Sequence, residues 1–112
     1  MNKIAFLFSL IIFLNMVPVQ AETLIPRSMP GDKGTYFLIK MEKNGDIVSA
    51  LHKRVGPSYT GYTRTETNCR TMKMRVLGYS EESPSAIKNM PTKWFELIQG
   101  SSKSDLANFV CK

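Results

Sequence analysis

The stretch Thr35–Arg54, TYFLIKMEKNGDIVSALHKR, decides the fold. Its first part, Thr35–Glu42, is rich in aromatic and β-branched residues, with Phe37, Ile39 and Met41 on one face of an extended chain. Asn44-Gly45 follows, the favoured central pair of a type I′ turn, in which both positions need positive φ. Asp46–Arg54 then returns as a second strand. The second half also admits a helix, because Ile47, Leu51 and Arg54 have helical spacing. The Asn-Gly turn beside it favours the hairpin, and a hairpin needs further strands to be stable.

Those strands lie downstream. Gly56-Pro57-Ser58 punctuates the chain, and YTGYTRTETNCR is the threonine- and tyrosine-rich composition of a strand with much polar exposure. In TMKMRVLGYS, Met72, Met74 and Val76 alternate with Lys73 and Arg75, the period of a half-buried strand. EESPSAIKNMPT reads as a loop with room for one helical turn, bounded by Pro84 and Pro91, and KWFELI as a further short strand carrying Trp94. At the end, Gly100 precedes a serine cap, and Ser102 and Asp105 have the spacing of a capping box. A short helix follows, with Leu106, Ala107, Phe109, Val110 and Cys111 over most of one side.

Upstream, Met1–Ala21 has the form of a signal peptide. Lys3 is the positive n-region, Ile4–Met16 the apolar run, and Val19-Gln20-Ala21 the small-residue cleavage site, with the cut expected after Ala21. The apolar run is shorter than the ~20 residues that span a bilayer, and Pro18 interrupts the segment, so no transmembrane segment is expected after cleavage. No cysteine adjoins the cut, so the exported chain is expected to be periplasmic, secreted or at the cell surface, and not a lipoprotein. Residues 22–34, with Pro26, Pro30, Gly31 and Gly34 and no apolar period, form an extended N-terminal arm, and residues 35–112 the folded domain.

The chain has 112 residues and a formal charge of +6, and removing Lys3 with the signal leaves +5. A domain this small barely offsets its chain entropy by burying apolar surface, and exported domains of that size carry covalent staples. Two cysteines in an exported chain permit one intramolecular bridge, Cys69–Cys111. Closing that loop restricts the unfolded chain by ~4 kcal/mol in the entropic model. Its placement next to the C-terminus suits a clamp, since a helix of about ten residues does not hold its shape alone in water. The expected fold is therefore α+β, a small antiparallel β-sheet with a C-terminal α-helix clamped to it by a disulfide.

A catalytic set is hard to assemble. His52 is the sole histidine. Asp46 would be its natural orienting partner, but the two lie in one strand about 20 Å apart when extended. His52 then reads as a surface or interface residue, with Tyr36 or Tyr59 able to approach it after folding. Glu81-Glu82, in SEESPS, has the surroundings of a solvated loop. Gly31 and Gly34 lack the spacing and following helix of a phosphate loop. The bridge consumes both thiols, and two cysteines with one histidine do not furnish a metal site. No enzyme activity, cofactor or metal is expected. Lys53, Arg54, Arg64, Arg70, Lys73 and Arg75, interleaved with tyrosines, form a candidate basic binding face for a protein or an acidic glycan. The plainer alternative is a sheet face kept soluble by its charges. No base-reading motif accompanies them, so nucleic acid is not expected.

The segment NCRTMKMRVLGYS, followed by Trp94 and the closing Val110-Cys111, resembles the surface-adhesin protein E-like domain family of exported proteins in Gram-negative bacteria. The elements that carry the resemblance are Cys69, Arg75-Val76-Leu77, Tyr79, Trp94 and Val110-Cys111, over roughly the second half of the mature chain. It implies a small antiparallel sheet with a disulfide-held C-terminal helix. It also implies an adhesin-like, non-catalytic binding module for a macromolecular partner, a host matrix protein such as vitronectin or laminin, or an envelope component. Some members form dimers, so a homodimer is a further expectation of the resemblance. The alternative function is a periplasmic accessory or inhibitor protein of the cell envelope, and the positive charge argues against an inhibitor of a cationic muramidase.

Overall fold

Thr35–Asn44 and Ile47–Val55 do form a hairpin, and everything else in the fold is laid against it. The computed structural model describes residues 21–112, so the expected signal peptide lies outside the described residues apart from Ala21, its last position. We number the strands in chain order: β1 Thr23–Leu24, β2 Thr35–Asn44, β3 Ile47–Val55, β4 Thr60–Asn68, β5 Lys73–Ser80 and β6 Phe95–Glu96. A 3₁₀ turn spans Pro84–Ala86, and the single helix among the described residues, α1, spans Ser102–Val110. The strands pair in sequence order, each antiparallel to the next, giving a six-stranded meander. No helix among the described residues is long and apolar enough to cross a membrane.

The hairpin turn sits one residue later than Asn44-Gly45. Asn44 pairs with Ile47, so Gly45 and Asp46 are the central pair. Gly45 has φ 64° and Asp46 has no positive φ, the arrangement of a type II′ turn with glycine first. Glycine supplies the left-handed residue in either turn, and a II′ turn leaves Asp46 with ordinary backbone. The aspartate carboxylate is then free to accept from Arg70 Nε at 3.2 Å across the hairpin end.

α1 covers one face of the sheet. The register puts Val48, Ala50 and His52 of β3, Thr65 and Thr67 of β4 and Met74 of β5 beneath it. From above come Leu106, Ala107 and Val110, all nearly inaccessible. On β2 the core takes Tyr36 and Leu38 and leaves Phe37 and Ile39 half-buried on the other face. A bulge at Ile39 resets the alternation beyond that point. The threonine-rich strand is less exposed than its composition suggests. Thr65 and Thr67 are fully buried and their hydroxyls have no partner. The branched side chains fit the narrow space under a short helix, at a desolvation cost of about 1–3 kcal/mol for each unpaired hydroxyl.

The bridge between Cys69 and Cys111 ties the end of β4 to the end of α1, with Cα atoms 5.4 Å apart. Met72, expected to start the fifth strand, lies instead in the turn after Cys69 with φ 56°. At the other end of α1 the cap is Ser101, one residue before the expected Ser102. Its hydroxyl accepts the amide of Ser104 at 3.1 Å. Asp105 is thereby released from a capping role. It is buried, and its Oδ2 accepts Arg27 Nε at 2.8 Å and the Ser28 amide at 3.1 Å. Burial pushes the Asp105 carboxyl up, but the Ser28 and Arg27 hydrogen bonds outweigh it and hold the group below its ordinary value. These contacts strap the N-terminal arm to the helix. The arm also contributes β1 and buries Ile25 in the core. The expected extended arm thus serves as an edge strand and a tether.

The other edge of the sheet is also protected. Beyond β6, the loop after the 3₁₀ turn runs along β5, with Met90 and Thr92 amides donating to Leu77 and Val76 carbonyls at 2.7 and 2.8 Å. Gly78 permits this approach, because a Cβ there would collide with the Lys88 carbonyl and the Ile87 side chain. Trp94, 39% exposed, lies outside the core with the Arg75 guanidinium 5.0 Å from its ring centroid.

Candidate binding sites on the two sheet faces

The six basic residues singled out in the sequence do not gather on one surface. Neighbours in a strand point to opposite faces, so Lys53 and Arg54 must part. By register Lys53, Arg64, Lys73 and Arg75 lie on the face without the helix, and Arg54 on the helix-covered face. Arg70 leaves the sheet in the turn between β4 and β5 and pairs with Asp46. Most of the others are also neutralised locally. Lys53 meets Glu22 at 2.8 Å, Lys73 meets Glu96 at 3.4 Å, and Arg75 meets Glu66 at 2.8 Å. Lys53 also stacks on Phe37, at 5.4 Å. Of the six, only Arg64 has no ion-pair partner among the described residues.

Arg64 is therefore the one candidate cation on the open face that is not held in an ion pair among the described residues. It pairs across β4 and β3 with Leu51, and Leu51 pairs in turn with Lys40 of β2. Lys40, Leu51 and Arg64 form one row across three strands. Together with Glu42, Ser49 and Leu77 they line a depression of about 140 Å³, with an apolar floor, a cation at each end and the Glu42 carboxylate beside Lys40 on the same strand. Lys40 was not among the sequence candidates. The bulge at Ile39 brings it into the row, and a bulge leaves little trace in a single sequence.

The covered face holds a second site, beyond the N-terminal end of α1. Here a cleft of about 310 Å³ is bounded by Tyr36, His52, Arg54, Tyr59, Thr63 and Tyr79, with Ser102 and Lys103 of α1 closing one side. Arg54 is held rigidly. Its Nη2 donates to Asp32 Oδ1 at 2.8 Å, and the Tyr36 hydroxyl donates to the other oxygen of the same carboxylate. The Arg54 hydrogen bond, then those of Tyr36 and the Gly34 amide, hold the Asp32 carboxyl well below the usual carboxylate range. The same contact raises Arg54. Gly34 and Gly56 make room for the guanidinium, since a Cβ at either would strike it. Tyr79 lies across Gly61, and its hydroxyl donates to Glu81 at 3.2 Å. Burial, then Glu81, raises the Tyr79 phenol.

His52 is buried, with 7% of its surface accessible, where a surface or interface histidine was expected. Burial foremost, and the Lys103 charge second, lower its pKa to about 4, so the ring is neutral at pH 7. Tyr36 and Tyr59 do join it in the cleft, while Asp46 remains at the hairpin turn with Arg70. Glu81 and Glu82 are exposed. No group of three or more His, Cys, Asp or Glu residues that could hold a metal occurs among the described residues. The aromatic wall and the helix terminus were not predicted as a site. No local sequence signal marks it, because the Arg54 and Tyr79 side chains that lie against Gly34, Gly56 and Gly61 approach them only in the fold.

Comparison of the chain with protein-family models, with curated proteins and with solved structures gives no match in any of the three.

Proposed function

We propose that the chain is an exported, non-catalytic binding module, adhesin-like, that recognises a macromolecular partner through the open face of its sheet. The observation that carries this reading is the uncovered row Lys40–Leu51–Arg64. A sheet normally buries one face and solvates the other with polar residues. Here most cations of the solvated face are neutralised by ion pairs, whereas Lys40 and Arg64 make none and flank an apolar floor that Glu42 borders on the Lys40 side. That pattern suits a carboxylate-bearing strand or loop of a partner protein, with an apolar group seated over Leu51 and Leu77. The resemblance of Cys69, Arg75-Val76-Leu77, Tyr79, Trp94 and Val110-Cys111 to the surface-adhesin protein E-like pattern supports a matrix protein as that partner. The signal-like N-terminus supports export.

The test is binding of the purified, oxidised protein to immobilised vitronectin and laminin as salt is raised. Saturable binding that weakens steadily between 50 and 500 mM salt is expected, because exposed charges are screened over about 10 Å at 0.1 M. Binding to neither protein, or binding indifferent to salt, contradicts the proposal.

A further inference from the structure

α1 is too short for the sheet it covers. Its nine residues extend about 13 Å, whereas the nine-residue strands β3 and β4 extend about 30 Å. The disulfide fixes the C-terminal end of α1 beside Cys69, at the end of β4. The helix therefore reaches only as far as the row His52–Thr63–Tyr79, where Ser102 and Lys103 close one side of the cleft. Beyond that row the same face continues through Arg54 and Gly61, with no helix above it among the described residues. The cleft does not stop at Tyr79. Val76 and Tyr79 also line an adjoining depression of about 410 Å³, walled by Ala86, Lys88 and Met90. The Met90 and Thr92 amides hold that wall in place by donating to β5 carbonyls. The two depressions make one groove, running from the first turn of α1 to Met90. Its exposed apolar side chains are Tyr59, Tyr79 and Met90, the last 71% exposed. One such residue is ordinary on a surface, but three around one concavity mark a contact site. The charges there are uneven. Arg54 is spent on Asp32, and Glu81 at the rim accepts the Tyr79 hydroxyl. Lys88 and Lys103 make no ion pair among the described residues, and Lys103 stands at the positive end of the α1 dipole.

We propose that this groove binds an acidic amphipathic helix of a partner protein, laid on the sheet end to end with α1. A helix is the element that buries an apolar stripe on a sheet face. The uncovered length of strand, roughly 15 Å, takes about ten helical residues. The apolar stripe of the partner covers Tyr59, Tyr79 and Met90, and its carboxylates meet Lys88 and Lys103. A second copy of the chain fits less well, because it brings the same two lysines and its own excess of positive charge. A flat bilayer does not enter a groove walled by a helix end and a loop. The groove lies on the face opposite the Lys40–Leu51–Arg64 row, so the two surfaces can be tested separately.

The experiment is titration of the oxidised protein, read by amide chemical shifts, with a helical peptide of about ten residues, stapled because so short a helix is marginal in water. The peptide carries leucine along one stripe and glutamate on the rest. One control has lysine for glutamate, and the other has serine for leucine. The glutamate peptide should shift the amides of Thr63, Val76, Tyr79 and Met90 and leave those of Lys40 and Arg64 unmoved. Each control should bind at least tenfold more weakly. Met90→Glu and Lys88→Glu alter exposed side chains, so both variants should melt like the parent. Each should lose about tenfold in affinity for the glutamate peptide, and Lys88→Glu should gain affinity for the lysine peptide. No binding of the glutamate peptide, equal binding of either control, shifts confined to the open face, or full affinity in Met90→Glu overturns the proposal. Self-association, or binding to phosphatidylglycerol vesicles, that Met90→Glu abolishes gives the groove a different occupant and overturns it as well.

Discussion

The two faces of this sheet are built from the same strands and spend their residues differently. Directly beneath α1 the covered face is nearly dry. Val48, Thr65, Thr67 and Met74 meet Leu106 and Ala107 with almost no exposure, and the disulfide pins one end of the helix above them. The open face is a lattice of short-range charge pairs and cation–aromatic contacts over half-buried side chains. Stability resides in the first, where apolar area leaves water and the chain is covalently closed. The second contributes little to stability, because exposed ion pairs each yield about 0–1 kcal/mol. What it can change without unfolding the protein is what it binds.

Breaking the covered face should be costly, and the bridge most of all. Cys69→Ser and Cys111→Ser should each lower unfolding free energy by about 4 kcal/mol for a 42-residue separation, by closely similar amounts, in chemical denaturation. Unchanged stability in both would show that packing alone holds α1 in place. The next largest effect comes with acid. His52 has a folded pKa of about 4 against an ordinary value of 6.5, so between these values the unfolded chain binds the extra proton. Stability contributed by the neutral buried ring is complete above pH 6.5 and drains away as pH falls towards 4, by on the order of 3 kcal/mol. Asp32 and Asp105, with carboxyls held below 3.8, extend the loss to lower pH. Denaturation across pH 7 to 4 should show this slope, and His52→Gln should abolish the part above pH 4. The smallest effect is expected on the open face. Arg75→Ala removes the contacts to Glu66 and Trp94, yet should cost less than about 1 kcal/mol, since all three remain solvated. A loss of several kcal/mol there would erase the distinction between the faces.

The covered face was legible in the sequence as far as local chemistry dictates it. The cysteine pair, the serine before the last helix and the glycine turn each act through neighbours or through a forced pairing, and they locate the sheet, the helix and the clamp. Errors of one residue entered where two local solutions compete. Gly45 serves a I′ or a II′ turn equally, and Ser101 and Ser102 both offer a capping hydroxyl. On β2 both alternating sets, Tyr36 with Leu38 and Phe37 with Ile39, are apolar, so alternation alone could not choose the core face. The basic residues mislead for a different reason. Their partners Glu22, Glu66, Glu96 and Asp32 lie on other strands or in the arm, and only the three-dimensional register shows that most of the charge is spent. The cleft is more distant still from the sequence, since it joins four strands and the first turn of α1.

The division of labour between the faces is tested most directly by one double variant, Lys40→Glu with Arg64→Glu, measured for melting temperature and for binding to immobilised vitronectin and laminin. Reversing both charges should abolish binding and leave the melting temperature within about 3 °C of the parent, as expected for surface substitutions within about 0.5 kcal/mol. Binding at parental strength, or a collapse of the fold, would contradict an open face that serves recognition and a covered face that serves stability.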